Sequence, residues 1–193
     1  MARMKSALEI ALERTESVKS DKGSIETFEI KQKGKKLANE FLSGSKISLE
    51  DEIQKESGET QKNLKQGIYD VLITQITLPA VKDDIKRIED AGQGLNIIIG
   101  KNRFGEVVSQ LSQLMNQYMD EFAQYDEAIK RQYAPKLQRK EEELSRRMGR
   151  QVNIDPFQDP EFVGFYNQHI NTLKGNYEAA ITQIKEEASR LFE

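Results

Sequence analysis

The chain has 193 residues and a formal net charge of −3, with 29 Lys and Arg against 32 Asp and Glu. It contains no Cys and one His, which excludes a disulfide framework, a thiolate zinc site, a thiol nucleophile and a multi-histidine metal site. Its composition, 37% apolar and 32% charged, indicates a thin core and the large solvated surface of long helices. The negative net charge argues against wholesale binding of nucleic acid.

The N-terminal segment predicts two short helices. Leu8–Thr15 is spaced for one helical face, and Lys22-Gly23-Ser24 should end it, with Ser24 capping a second helix that ends at Ser43-Gly44-Ser45. The opening residues KSALEIALERT (5–15) resemble the start of an uncharacterised family of bacterial all-helical proteins. This resemblance implies an all-helical fold and carries no function.

The next segment predicts a helix that begins after Ser48, whose hydroxyl can accept a backbone N–H, and that Pro79 ends. Asp83–Ala91 predicts one more short helix, with Gly92-Gln93-Gly94 as its end. The β-branched stretch Leu95–Ile99 could form a strand, but a lone strand lacks a partner, so we expect irregular chain or a helical turn.

The strongest pattern is a heptad seam that starts at Phe104. Its apolar side chains recur at alternating steps of four and three, so one stripe keeps facing a partner helix. Pro135 lies where the seam slips and should kink or restart the helix. The seam consists of Phe104, Val108, Leu111, Met115, Tyr118, Phe122, Tyr125 and Ile129, and Leu144 and Met148 continue the stripe.

The final segment begins with two cap-then-proline helix starts, Asp155-Pro156 and Asp159-Pro160, and continues in threes and fours to Leu191. Two seamed helices joined by a short connection predict an antiparallel hairpin, coiled-coil-like, with Leu173 near Tyr133. The predicted fold is therefore all-α, a long hairpin with shorter N-terminal helices packed at one end. We divide it into an N-terminal helical region, 1–99, and the hairpin, 100–193.

The seam is rich in tyrosine, and tyrosine is favoured at protein interfaces. These side chains form a candidate partner surface, although we favour packing inside the hairpin with the hydroxyls at its edge. The candidate surface consists of Tyr118, Phe122, Tyr125, Tyr133, Tyr166 and Tyr177.

The remaining motifs point weakly to chemistry. Lys101 and Arg103 at the start of a long helix form a weak anion-binding candidate, while the neighbouring glycines fit neither a dinucleotide fingerprint nor a P-loop. Asp155, Asp159 and Glu161 are expected to cap helices rather than to bind metal. His169 lies beside the seam with no catalytic partner near it in sequence.

We therefore expect a non-enzymatic scaffold, adaptor or assembly factor that binds a protein partner, or a second copy of itself, through its helical surface. No apolar run reaches the ~18 residues of a membrane span, and Glu9 and Glu13 interrupt any secretory signal, so a cytoplasmic location is expected. We expect no cofactor. Two alternatives stay open. One is a small-ligand or anion-binding protein or enzyme with a site near Gly100–Phe104, and the other is a binder of nucleic acid or anionic surfaces through Lys31–Lys36 and Lys130–Arg150.

Overall fold

The computed structural model describes the backbone of residues 7–100 and 102–192, and the side chains of residues 23–100 and 104–192. All regular elements in these ranges are helices, as the sequence predicts. In chain order they are α1 (Ala7–Leu42), α2 (Leu49–Gln54), α3 (Gly58–Gln75), α4 (Asp83–Ile99), α5 (Asn102–Met148), a 3-10 turn (Pro156–Gln158) and α6 (Pro160–Phe192).

The described chain divides into two compact units. One comprises residues up to Gln75 together with Asp90–Gly100, and the other comprises Ile76–Glu89 together with the residues after Gly100. The single domain boundary at residues 99–100 stays a prediction. The division groups Ile76–Glu89 with the two longest helices, and this segment contributes to a cleft described below.

In the first unit, α1 packs along α3 at a point where both helices carry glycine. A Cβ at Gly34 would come within 3.0 Å of the α3 backbone, and one at Gly67 would come equally close to the backbone of Lys31. The predicted break at Gly23 is wrong, because α1 runs through it as one helix. A second glycine, Gly34, also lies inside α1, because only glycine lets the backbones of α1 and α3 approach so closely.

Ser48 caps α2 as predicted, since its Oγ accepts a hydrogen bond from the backbone N–H of Asp51 at 3.2 Å. The helix that the sequence extends from there to Pro79 is interrupted at Ser57, and α3 begins at Gly58, whose φ is +57°. Gln61 fastens this break by donating to the carbonyls of Ile53 and Glu56, each at 2.9 Å. The buried face of α3 consists of Leu64, Gly67, Ile68 and Leu72.

The predicted end of α4 at Gly92-Gln93-Gly94 is also wrong, because the helix continues to Ile99 and includes the whole β-branched stretch. A Cβ at Gly94 would lie 2.7 Å from Leu72 Cδ1, so this glycine again marks close packing and no turn. The helix ends instead at Gly100, which adopts a φ of +66° that favours glycine at a helix C-terminus.

In the second unit, α5 has 47 residues, roughly 70 Å of helix, and it continues through Pro135 without a restart. The predicted seam supplies its buried side chains, with Phe104, Leu111, Met115, Tyr118 and Ile129 each at most 3% exposed. Val108 and Phe122 in the seam are half-buried, and Tyr125 is 46% exposed. The step pattern therefore identifies the packed face of α5 along most of its length.

The pairing of α5 with α6 differs from the predicted register by roughly three helical turns. Tyr133 packs edge-to-face against Phe162, with ring centroids 5.1 Å apart, whereas Leu173 clusters with Tyr118 and Tyr177. The prediction assumed that the connection turns directly beyond Met148. The connection instead runs back beside α5, where the N–H of Ile154 donates to Glu141 Oε1 at 2.8 Å, so α6 begins several turns before the end of α5.

Candidate interaction surfaces

Half of the predicted tyrosine surface is buried inside the second unit. Tyr118, Tyr133 and Tyr177 are 3%, 5% and 7% exposed, and their rings pack against aromatic side chains of the opposite helix. Phe122 and Tyr166 are half-buried, and Tyr125 is exposed. As a partner surface this set stays a prediction, and in this conformation Tyr125 presents the most area to another molecule.

Burial also changes the proton affinity of these phenols. The pKa of Tyr166 rises to about 12 because of desolvation first and its hydrogen bond to Asp126 second. The pKa of Tyr177 rises to about 12 through desolvation and a hydrogen bond to Glu121. Tyr166 donates to Asp126 Oδ1 at 2.9 Å. The hydroxyls thus reach acids at the edge of the helix pair, the arrangement that internal packing predicts.

One charged network fixes the start of α6. Asp159, 7% exposed, accepts hydrogen bonds from the hydroxyl of Tyr133 at 3.0 Å and from Lys140 Nζ at 2.6 Å. Its other oxygen accepts the N–H of Glu161 at 3.1 Å, which confirms its predicted role as a helix cap. Lys136 and Lys140 both pair with Glu161. Asp159 therefore joins the first turn of α6 to the side of α5.

The pKa values in this network shift as ion pairing requires. The hydrogen bond from Lys140 holds the pKa of Asp159 below its ordinary value, and Lys136 followed by Lys140 does the same for Glu161. The pKa of Lys140 is raised, first by Asp159 and then by Glu161. All three groups stay charged at neutral pH, which suits a structural clamp better than proton transfer.

Acids of the same chain pair with one of the four lysines in the first basic stretch and with most cations of the second. In the first, Lys33 pairs with Glu56 at 2.7 Å. In the second, six cations between residues 130 and 147 pair with carboxylates: Lys130, Arg131, Lys136, Lys140, Arg146 and Arg147. In the second stretch, few unpaired charges are therefore left to release counterions from a polyanion.

An apolar surface near the end of α5 was missed in the sequence. Leu144 and Met148 continue the seam, but they are 37% and 53% exposed. They are not covered because α6 begins beside Lys140, at an earlier turn of α5. Leu144 lines a groove of about 300 Å³ together with Ile154 and Pro160. We call Leu144, Met148, Ile154 and Pro160 together the Leu144 surface. Lys140 and Arg147 lie on its border.

A cleft of about 420 Å³ opens elsewhere in the second unit, and we call it the Tyr118 cleft. It joins the segment after α3 to one face each of α5 and α6, so no local sequence motif marks it. Its lining residues are Thr77, Leu78, Pro79, Ala80, Tyr118, Met119, Phe122, Lys174 and Glu178.

The other candidates are placed as follows. Lys101 and the side chain of Arg103, the weak anion site, lie outside the described residues. The ring of His169 packs edge-to-face on Phe165 at 4.6 Å between centroids. Asp155 caps the 3-10 turn by accepting the N–H of Phe157 at 3.0 Å. Among the described residues, no group of three or more His, Cys, Asp or Glu side chains is placed to hold a metal ion.

Fold and surfaces together define an all-helical protein whose second unit carries a long aromatic helix pair with apolar concavities along it. The chain belongs to DUF6657, a family of unknown function, which it matches over residues 50–190. The matched region excludes the opening segment that carried the resemblance noted above. Neither the curated proteins nor the solved structures contain a significant match to the chain. None of the described helices is long and apolar enough to cross a membrane.

Proposed function

We propose that this protein is a non-enzymatic helical scaffold, adaptor or assembly factor that binds a protein partner through the helix pair α5–α6. The observation that carries the proposal is the exposure of Leu144 and Met148, at 37% and 53%, on a stripe whose other members, apart from Tyr125, are buried or half-buried along α5. Apolar side chains that continue a packed seam into solvent gain free energy when another chain covers them.

We further propose that α5 and α6 form an antiparallel hairpin, which presents this surface at its connected end. Two ring contacts support this arrangement: Tyr118 contacts Tyr177, and Tyr133, further along α5, contacts Phe162, earlier in α6. The ion pair between Lys140 and Asp159 continues the same trend.

The border of the Leu144 surface indicates the partner's character. Arg147 is 72% exposed, and its acidic neighbour on the same helix, Glu143, is 64% exposed, so their pairing is weakened by solvent. Lys140, which also lies on the border, is held by Asp159 and Glu161. A helical segment with an apolar stripe and acidic flanks complements this surface best, since its carboxylates can compete for the arginine.

The test compares the wild-type protein with a variant that carries both Leu144→Gln and Met148→Gln. The control is Val81→Gln, which removes an equally exposed apolar side chain, 55% exposed, outside the Leu144 surface. Light scattering on a sizing column reports self-association, and affinity capture with cross-linking from the native host reports other partners. We expect the double variant to lose the partner or the dimer and the control to keep it. A wild-type protein that is monomeric and retains nothing, or a double variant that retains everything, contradicts the proposal.

A further inference from the structure

The Tyr118 cleft combines an apolar floor with two opposite charges. Leu78, Pro79 and Phe122 form part of the floor, and the buried ring of Tyr118 closes one side with its pKa raised by desolvation and then by the charge of Glu178. Its volume of about 420 Å³ falls within the range of small-molecule sites. A ligand there would place its apolar part against the floor and its polar part toward α6.

Lys174 and Glu178 supply the charges, one helical turn apart on α6. Each lies without an ion-pair partner in the described part of the chain, although eleven ion pairs occur there. The lysine precedes the acid, and this order at i,i+4 pairs less favourably than the reverse. A free ammonium and a free carboxylate therefore border the same apolar cleft.

We propose that the Tyr118 cleft binds a small hydrophobic zwitterion, of which an α-amino acid with a large aliphatic or aromatic side chain is the simplest example. The ligand carboxylate meets Lys174, the ligand ammonium meets Glu178, and the side chain packs on Leu78, Pro79 and Phe122. A simple anion would face Glu178 and a simple cation would face Lys174, so each would gain one attraction and incur one repulsion. This site is separate from the Leu144 surface and does not depend on the proposed scaffold function.

Binding is tested by two-dimensional NMR titration of the full chain with L-phenylalanine and L-leucine, which should bind with a Kd on the order of millimolar. Three probes each lack one feature: 3-phenylpropanoate has no ammonium, 2-phenylethylamine has no carboxylate, and glycine has no apolar side chain. We expect each to bind about tenfold more weakly or worse than L-phenylalanine. The shifted amides should lie in Thr77–Ala80 and around Tyr118 and Lys174.

Variants assign the charges. Lys174→Met should weaken L-phenylalanine about tenfold and remove what selectivity it has over 2-phenylethylamine, and Glu178→Gln should do the same relative to 3-phenylpropanoate. Ala80→Phe should fill the cleft and abolish binding, because Ala80 is exposed and its substitution leaves the core intact. Lys185→Met is the matched control, another half-buried lysine of α6 outside the cleft.

Three results would each overturn the proposal. The first is the absence of saturable shifts at the cleft with either amino acid. The second is equal binding of L-phenylalanine and 3-phenylpropanoate, or of L-phenylalanine and glycine. The third is binding that Lys174→Met and Lys185→Met weaken to the same extent.

Discussion

Replacing Gly34 with alanine tests whether the close approach of α1 and α3 stabilises the first unit. In an ordinary helix this change stabilises, because alanine exceeds glycine in helix propensity by about 1 kcal/mol. Here the added Cβ would overlap the carbonyl oxygen of Leu64 and lie 3.0 Å from the backbone nitrogen of Ile68. Backbone atoms of a packed helix cannot rotate away, so the two helices must separate.

The expected magnitude follows from these opposing effects. Overpacking costs about 1–3 kcal/mol, and a backbone obstacle places the cost near the upper value. After the gain of about 1 kcal/mol in propensity, Gly34→Ala should reduce the free energy of unfolding by about 2 kcal/mol. For a chain of this size that corresponds to a decrease in Tm of roughly 4–8 °C. Gly67→Ala should behave alike, since its Cβ would overlap the carbonyl of Lys31.

The assay is thermal unfolding followed by circular dichroism at 222 nm. Gly23→Ala provides the control, because this glycine lies in the same helix and a Cβ there would meet nothing within 4 Å. It should leave Tm unchanged or raise it. If Gly34→Ala raises Tm as much as Gly23→Ala does, the two helices are not held as closely as described and the reasoning fails.

Three further predictions concern the second unit. The lowered pKa of Asp159 means that its stabilising contribution is present above its ordinary value of 3.8 and is lost as the pH falls through the lower folded value. Asp159→Asn should therefore make the urea midpoint of unfolding depend less on pH between pH 5 and pH 2. A variant whose midpoint falls with pH as steeply as that of the wild type would contradict this prediction. The pKa of Tyr177, about 12 against an ordinary 10.0, means that stability is lost as the pH rises from 10 through 12, and Tyr177→Phe should reduce this alkaline loss in the same assay. Phe162→Ala, at a fully buried position, should reduce the free energy of unfolding by about 3–5 kcal/mol, whereas Phe157→Ala, at a half-exposed position, should reduce it by about 1 kcal/mol. Equal reductions would place Phe162 outside the core.

The sequence predicts those features that depend on short-range chemistry. Ser48 and Asp159 are recognisable caps because a side-chain oxygen in front of a helical pattern has a local partner, and both do cap helices. The seam from Phe104 is recognisable because a helix repeats its buried face at fixed steps, and its members are buried or half-buried with the exception of Tyr125.

The errors arise where distant contacts decide. Gly94 resembles a helix end until Leu72 is seen against it. The Tyr118 cleft shows no local signal because its walls come from three separated segments. The register of α6 could not be derived from periodicity, since the same steps of three and four fit any shift by whole turns.

The clamp at Asp159 separates the length of the connection from the alignment of the helices that it joins. One side chain both starts α6 and binds Tyr133 and Lys140, so the pairing of α5 and α6 is set at residues 159–161 and not by where the chain turns after Met148. Residues inserted near Gly149 would lengthen the connection without moving Tyr177 away from Tyr118. Homologues should therefore tolerate gain and loss of residues between 149 and 153, and this segment is the natural place in the chain for binding specificity to diverge while the helix pair is preserved.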